Sequence, residues 1–111
     1  MKQKFEVELL EGAFDFLEKI EIKPRKKVLQ NMNRAKFTAD PKLFKKLDGE
    51  IWEFRTLYAG LQYRLLAFWD QSDKTETLVF ATHGFVKKTN KVDKREINKA
   101  EHIRQLYFKN K

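Results

Sequence analysis

The sequence has no cysteine, only two prolines and four glycines, and no long apolar run. Without cysteine the chain forms neither a disulfide framework nor a thiolate metal site. Two histidines, without a carboxylate at the spacing of a zinc motif, also argue against a zinc site, so we expect no metal and no other cofactor. No stretch approaches the roughly 20 apolar residues that span a bilayer, and the amino terminus has no apolar signal-peptide core. We therefore expect a cytoplasmic protein without a membrane partner.

Several motifs of enzymes and nucleotide-binding proteins are also missing from the sequence. There is no glycine-rich phosphate loop and no Ser/His/Asp arrangement at usable spacing. The acidic residues within residues 49–88 are scattered and form no obvious pair of carboxylates. These absences give no support to a kinase, a serine-type hydrolase or a nucleotide-cofactor enzyme.

What the chain does contain is enough apolar material for one core. It has 111 residues, of which 41% are hydrophobic, and fifteen aromatic side chains. This length and composition predict a single domain over residues 1–111, with no internal repeat or linker.

Positive charge is concentrated in two blocks of the sequence. The net charge is +8, with +6 in residues 22–50 and +6 in residues 87–111, whereas residues 1–21 carry −3 and residues 51–86 carry −1. Two basic blocks around a nearly neutral segment suit a polyanionic partner, since each neutralised phosphate releases counterions. The same charge could also serve solubility alone.

The hydrophobic pattern predicts an α+β fold. Residues 4–10 alternate like a half-exposed strand, Gly12 is expected to be a break, and two helices follow, the second with Pro24 in its first turn. A short strand, an Asp48–Gly49 turn and a longer strand come next, then a turn at Ala59–Gly60 and two apolar strands that should form the sheet centre. Asp93, with Glu96 three residues later, resembles a capping box that opens a last helix.

Three of the predicted strands carry residues that suit phosphate chemistry. If Tyr58 and Tyr63 close a four-residue loop, Arg55 lies opposite Leu66 and shares one face of the sheet with Arg64 as a diagonal neighbour.

The next strand can be placed by the same argument. If Phe68 faces Thr77, then Val79, Ala81 and His83 join the face that carries the two arginines. His83 is the side chain of this region that titrates near neutral pH.

These residue types suit cleavage of RNA at its own 2′-hydroxyl, which needs a proton acceptor, donors for the phosphate charge and an acid, but no metal. Arg55 and Arg64 fit the phosphate role and His83 the acid–base role. We also expect RNA contacts from four other residues, namely Lys46, Phe85, Lys87 and Lys88. Taken singly, each of these residues also fits a solvent-exposed or structural role.

Four motifs resemble one protein family. K-L-x-G-x-[IL]-W-E-x-R covers residues 46–55, Y-R-x-x-x-F residues 63–68, H-G-F-x-K-K-T residues 83–89 and E-I-x-x-A residues 96–100. In these motifs the chain resembles the phage-derived, Gp49-like branch of the RelE/HigB toxin superfamily. The resemblance implies a RelE-like fold, in which a small antiparallel sheet carries an N-terminal helical hairpin and a C-terminal helix. It also implies a type II toxin–antitoxin toxin that cuts mRNA on the ribosome and is silenced by a helix-turn-helix antitoxin.

The resemblance also implies roles for individual residues. Arg64 matches the strand arginine that such toxins use on the scissile phosphate, Arg55 matches a neighbouring basic residue, and His83 with Lys87 occupies the C-terminal active-site segment. The sequence departs from the RelE pattern at Ile51 and Glu53, where lysines are expected. His83 is the expected acid or base, with Lys46 as a supporting cation.

Two other functions remain open on the sequence alone. A ParE-like inhibitor of DNA gyrase would share the fold but would not need the predicted cluster of arginines and histidine. A phage-derived binding module with a decayed catalytic site would keep the basic charge without activity.

Overall fold

The computed structural model describes residues 2–38, 40–74 and 77–111, and over these it forms the predicted α+β fold. Within them the helices and strands follow the order β1 (Glu6–Leu9), α1 (Glu11–Lys19), α2 (Ile22–Ala35), β2 (Phe44–Asp48), β3 (Ile51–Tyr58), β4 (Leu61–Asp70), β5 (Leu78–Lys87) and α3 (Lys94–Lys109). The helical hairpin after the first strand and the C-terminal helix are confirmed. No helix among the described residues combines the length and apolar character needed to cross a membrane.

The sheet is mixed, which corrects the expectation of an antiparallel one. Its strand order is β1-β5-β4-β3-β2, and β1 pairs parallel with β5 while the other pairs are antiparallel. The helical hairpin between β1 and β2 provides the long connection that lets β1 reach the far edge of the sheet in this direction. As predicted, the two most apolar strands, β4 and β5, lie inside the sheet.

Gly12 is part of α1 and does not break the chain as predicted. A Cβ at this position would come within 2.7 Å of the Thr82 carbonyl oxygen, so the glycine permits α1 to pack closely on β5. Gly84 has the matching role on β5, because the ring of Phe16 from α1 occupies the space that a side chain there would need.

The β3–β4 hairpin is tighter than predicted. Ala59 and Gly60 form a two-residue turn with φ values of 51° and 79°, as in a type I′ turn, and Arg55 pairs directly with Arg64. The expected four-residue loop, with Arg55 opposite Leu66, is therefore wrong by two residues. A shift of two preserves the face, so the prediction that both arginines lie on one face is confirmed.

A β-bulge in β5 decides which residues share that face. His83 pairs with Leu66 and Ala81 with Ala67, which leaves Thr82 as the extra residue. His83 consequently shares the face of the arginines, as predicted.

The expected β4–β5 register is wrong by three residues, because Phe68 pairs with Phe80 and not with Thr77. This odd shift places Val79 and Ala81 on the opposite face from the predicted one. The bulge at Thr82 then returns His83 to the face of the arginines.

The two faces of the sheet are covered differently. Helices α1 and α2 pack on one face, here called the hairpin face, over a core that includes Val28, Phe54, Leu65, Ala67 and Val79. Helix α3 packs on the other, here called the α3 face, over a smaller core of Ile51, Leu66, Phe68, Phe80 and Ala100. Helix α3 begins after Asp93, whose side chain accepts a hydrogen bond from the Arg95 backbone N–H at 2.8 Å, so the predicted cap is confirmed.

Candidate active site

Charged side chains gather on the α3 face beyond the end of the small core. Arg55 and Arg64 are direct cross-strand partners, and Lys45 from β2 pairs with Glu53 of β3 on the same face. Lys87, near the end of β5, also lies on this face. We call Lys45, Glu53, Arg55, Arg64 and Lys87 the basic cluster, in which four cationic side chains surround one carboxylate.

Glu53 sits between the two arginines. Its Oε1 lies 3.7 Å from Arg64 Nε and its Oε2 lies 3.9 Å from Arg55 Nε, which makes two ion pairs without a close hydrogen bond. Glu53 is only 6% exposed, so its charge is compensated by these arginines rather than by water. The carboxylate therefore occupies the position between the two guanidinium groups.

Arg64 is an unusually buried cation. It is 1% exposed, and its Nη2 donates a hydrogen bond to Gln62 Oε1 at 3.0 Å. Its Nε and Nη1 atoms are shielded from solvent and have no hydrogen-bond partner among the described residues. Buried donors without partners are unfavourable in the free chain, and an anion that accepted from them would remove that penalty.

Lys87 experiences the charge of the whole cluster. Burial lowers the pKa of its ammonium group, and the neighbouring charge of Arg64 lowers it further, while Glu53 acts in the opposite direction.

Two cavities adjoin Lys87. One, of about 330 Å³, includes Lys45, Glu53, Arg55 and Lys91, and the other, of about 280 Å³, includes Phe85, Lys88 and Glu96. The cluster thus faces an open cleft between the sheet and residues 88–93.

His83 lies next to this cluster but is held by a different set of contacts. It is 4% exposed, its Nε2 is 2.9 Å from Glu96 Oε1 of α3, and its Nδ1 is 2.9 Å from Thr82 Oγ1. Its strand position makes it a diagonal neighbour of Arg64 across the β4–β5 pair. Burial lowers the pKa of the His83 imidazole, against the effect of Glu96, which raises it.

The contacts of His83 can accommodate either protonation state. The Thr82 hydroxyl can donate to His83 Nδ1 when the ring is neutral. When the ring is protonated, both ring nitrogens donate, and the hydroxyl can donate instead to the Leu66 carbonyl oxygen at 3.2 Å. A single hydroxyl rotation therefore allows His83 to gain or lose a proton without leaving a donor unpaired.

The structure brings most of the predicted site residues together on the α3 face, but not all of them. Arg55, Arg64 and Lys87 belong to the basic cluster, and His83 lies beside it. Phe85 and Lys88 line the adjoining cleft. Lys46 does not join them, because it pairs with Trp52 on the hairpin face. The structure therefore does not place Lys46 near the arginines as a supporting cation.

A second bulge, in β2, explains why Lys45 lies opposite Glu53 on the α3 face and Lys46 does not. Asp48 pairs with Ile51 but Lys46 pairs with Trp52, so Leu47 is an extra residue and the alternation is reversed before it. Simple counting back from the Asp48–Gly49 turn would place Lys46 opposite Glu53, where the structure has Lys45. The sequence carried no clear signal for this bulge.

Sequence reasoning also missed the positions of two carboxylates. Glu53 was identified only as a departure from the RelE pattern, yet strand alternation from Arg55 already places it on the same face, two residues away. Glu96 was expected to complete a capping box, but its carboxylate contacts His83 instead of the helix start. His83 and Glu96 meet only because α3 packs on β5 in three dimensions.

Comparison with known families identifies most of the chain. The family model described as "Phage derived protein Gp49-like (DUF891)" matches residues 15–105, which include the basic cluster, His83 and most of α3. No curated protein and no solved structure gave a significant match. The family is associated with RelE-like toxins, so its membership points to a toxin of a toxin–antitoxin pair and to an antitoxin partner. The chain thus belongs to the phage-derived Gp49-like family.

Proposed function

We propose that the chain is the toxin of a type II toxin–antitoxin pair and acts as a ribosome-dependent mRNA endoribonuclease. The observation that carries this proposal is the pairing of Arg55 and Arg64 around one carboxylate, with two Arg64 donors unpartnered among the described residues. Family membership and the net charge of +8 support the same function. Its partners would be the ribosome, the mRNA and a helix-turn-helix antitoxin.

The arginines would hold the scissile phosphate. A guanidinium group presents its donors in a planar fork that matches phosphate oxygens, and it stays charged even when burial opposes the charge. Arg64 would donate through Nε and Nη1 to the oxygens that gain negative charge in the transition state, with Arg55 beside it. Lys45 and Lys87 would add positive charge along the cleft.

Two groups would move the protons. Glu53 lies against both arginines, and its Oε1 has no hydrogen-bond partner among the described residues, so it would accept the proton of the 2′-hydroxyl. His83 would donate a proton to the departing 5′-oxygen, leaving a 2′,3′-cyclic phosphate and a 5′-hydroxyl. The attack forms the 2′-oxygen–phosphorus bond as the 5′-oxygen–phosphorus bond breaks, so no water or metal is consumed.

Access to the site supports dependence on a large partner. Arg64 and His83 are almost fully buried in the free chain, and His83 Nε2 is occupied by Glu96. RNA can reach them only if Glu53 yields its position between the arginines and the first turn of α3 releases His83. A ribosome could supply the binding free energy for both changes, whereas short free RNA would supply much less.

Inducible expression in a bacterial host tests the proposal. Wild type, Arg64→Ala and the control Arg34→Ala, which alters an exposed arginine on α2, are compared for growth arrest and for new 5′ ends in ribosome-bound mRNA. We expect arrest and codon-phased ends with wild type and with Arg34→Ala, and neither with Arg64→Ala.

Other outcomes would identify the other candidate functions. Arrest with DNA-damage signalling but without new RNA ends would favour a gyrase inhibitor of the ParE type. The absence of arrest from soluble, folded wild type would favour a binding module without catalysis. Either outcome would contradict the ribonuclease proposal.

A further inference from the structure

A further cavity lies on the hairpin face, on the opposite side of the sheet from the basic cluster and its two cavities. It has a volume of about 220 Å³ and is lined by Lys4, Phe5, Thr38, Phe44, Trp52 and Trp69. We call it the aromatic pocket. Pockets for drug-sized ligands are usually about 300–1,000 Å³, so this one suits a single ring system rather than a larger molecule.

Packing among the aromatic rings shapes the pocket. Phe44 stacks on Trp52 with ring centroids 5.0 Å apart, and Trp52 meets Trp69 edge-on at 5.4 Å. Phe5 contacts Phe44 and Trp69 at 5.3 and 5.2 Å. Each ring is thus supported by another ring, so the walls are fixed, while both tryptophans stay partly exposed to solvent.

Polar groups at the pocket indicate what could occupy it. Trp69 Nε1 and Thr38 Oγ1 are both shielded from solvent, and neither has a hydrogen-bond partner among the described residues. A hydrocarbon side chain could not pair with either atom, whereas a heteroaromatic ring carries acceptors that could.

Positive charge adjoins the rings. Lys4 lines the pocket, and Lys46 extends from the same face of the sheet as its cross-strand partner Trp52. Both lysines are exposed, and Lys46 belongs to the basic block of residues 22–50. The pocket therefore combines flat apolar walls, unpaired polar atoms and nearby cations.

We propose that the aromatic pocket binds one unpaired nucleobase of an RNA strand, with Lys4 and Lys46 on the adjacent phosphates. Stacking on aromatic side chains with cations along the backbone is how proteins commonly hold single-stranded RNA. The choice of RNA as the polymer rests on the proposed function, and the pocket chemistry itself specifies a base joined to phosphate. The chain would then contact RNA on both faces of its sheet, cutting at one face and anchoring at the other.

Intrinsic fluorescence gives a direct readout, because the two tryptophans of the chain both line this pocket. The Arg64→Ala protein is titrated with a short single-stranded oligoribonucleotide, so that cleavage does not interfere. We expect the tryptophan emission to change on binding, and inorganic polyphosphate of equal charge to leave it unaltered. Trp52→Ala should weaken binding roughly 5- to 150-fold, the range for loss of one stacked base.

Charge reversal at Lys4 provides a second variant that leaves the rings in place. Lys4→Glu should weaken RNA binding and lower the salt dependence of the affinity by about one counterion. The control Lys26→Glu, on an exposed part of α2, should leave unaltered both the emission change on RNA binding and the loss of affinity caused by Trp52→Ala. Retention of wild-type affinity by both folded pocket variants would overturn the proposal, as would an emission that saturating RNA leaves unaltered.

The test separates this proposal from the catalytic one. Pocket binding by a protein that cuts no mRNA would leave this inference standing and refute the ribonuclease. Cleavage of mRNA by a wild-type chain whose tryptophan emission does not change with RNA would support the ribonuclease and overturn the pocket proposal. An emission change caused by the antitoxin but not by RNA would assign the pocket to protein binding and overturn the nucleobase proposal.

Discussion

The hairpin face and the α3 face of the sheet are built from the same strands but bury different chemistry. On the hairpin face, α1 and α2 cover apolar residues along most of the sheet, and the close approach of α1 to β5 depends on Gly12 and Gly84. On the α3 face, apolar cover is smaller, and Arg64, Glu53 and His83 are buried beside it.

Because of this difference, we expect the hairpin face to contribute mainly to stability and the α3 face mainly to binding. Burial of apolar side chains is strongly favourable, whereas burial of a guanidinium group or a carboxylate is not, even when the two are paired. The hairpin face should therefore provide most of the folding free energy, and the charges of the α3 face should be retained for what they bind. Each of the following predictions separates the two faces further.

The largest effect on stability should come from the hairpin face. Phe54 is buried against Phe5 and Phe44, so Phe54→Ala should lower the free energy of unfolding by about 3–5 kcal/mol. Chemical denaturation measures this loss, and Phe14→Ala, at a helix position 54% exposed, serves as the control with a change within about 0.5 kcal/mol. Equal effects of the two changes would contradict the assignment of the core.

A smaller, pH-dependent effect should come from the carboxylate at the other end of the α3 face. Asp70 is buried, and although burial raises its pKa, hydrogen bonds from Lys111, Ser72 and Tyr107 lower that pKa well below its usual range. Asp70→Asn should destabilise the fold by about 1.5–3 kcal/mol at neutral pH.

The sign of the pH dependence follows from the lowered pKa of Asp70. Its stabilisation is fully present above the unfolded-state pKa of about 3.9 and is lost as pH falls toward the folded-state value. The stabilities of wild type and Asp70→Asn should therefore converge as pH falls below about 4. A difference that stayed constant down to strongly acidic pH would show that the ionised carboxylate contributes nothing.

A change within the basic cluster should affect rate and not stability. Lys45→Ala should slow RNA cleavage at saturating RNA about tenfold, the effect of losing one charge-assisted hydrogen bond of about 1.5 kcal/mol. Lys26→Ala, on the exposed surface of α2, should leave both rate and stability unaltered. Single-turnover kinetics distinguish these results, and an unaltered rate for Lys45→Ala would remove Lys45 from the site.

The smallest effect should appear in the pH profile of the reaction. Glu96 raises the pKa of His83, so Glu96→Gln should lower that pKa further while keeping a hydrogen-bond partner for Nε2. If His83 is the acid, the alkaline limb of the profile moves to lower pH, and activity at neutral pH falls by less than the roughly 10²- to 10⁴-fold loss expected for His83→Gln. Movement of the acidic limb instead would make His83 the base.

Much of the fold could be predicted from the sequence because its signals are local. Period-2 alternation, the turns at residues 48–49 and 59–60, and the Asp93 cap each act over a few residues, and all of them are confirmed. The parallel pairing of β1 and the packing function of Gly12 depend on contacts between distant segments, and the sequence did not reveal them.

Prediction of the candidate site from the sequence was also limited by features that the sequence does not reveal, here the strand registers and the β-bulges. Arg55 and Arg64 were placed on one face correctly, because a two-residue error in the hairpin register preserves the face. His83 was also placed on that face, although the predicted β4–β5 register was wrong by three residues, because the bulge at Thr82 adds one residue that compensates for the error. The bulges at Leu47 and Thr82 each add one residue, which reverses the faces of the positions beyond them. The bulge at Leu47 places Lys45 instead of Lys46 beside Glu53, whereas the three-residue error in the β4–β5 register is what moves Val79 and Ala81 to the hairpin core.

We propose that Arg64, buried on the α3 face, stabilises the scissile phosphate in the transition state, and the proposed ribonuclease activity depends most on this role. The most direct test is single-turnover cleavage of mRNA on programmed ribosomes by wild type and by Arg64→Lys, which keeps a cation beside Glu53 but loses the guanidinium fork. We predict a loss of about 10²-fold or more in the cleavage rate with an unaltered thermal transition. Equal cleavage rates from the two folded proteins would contradict the account.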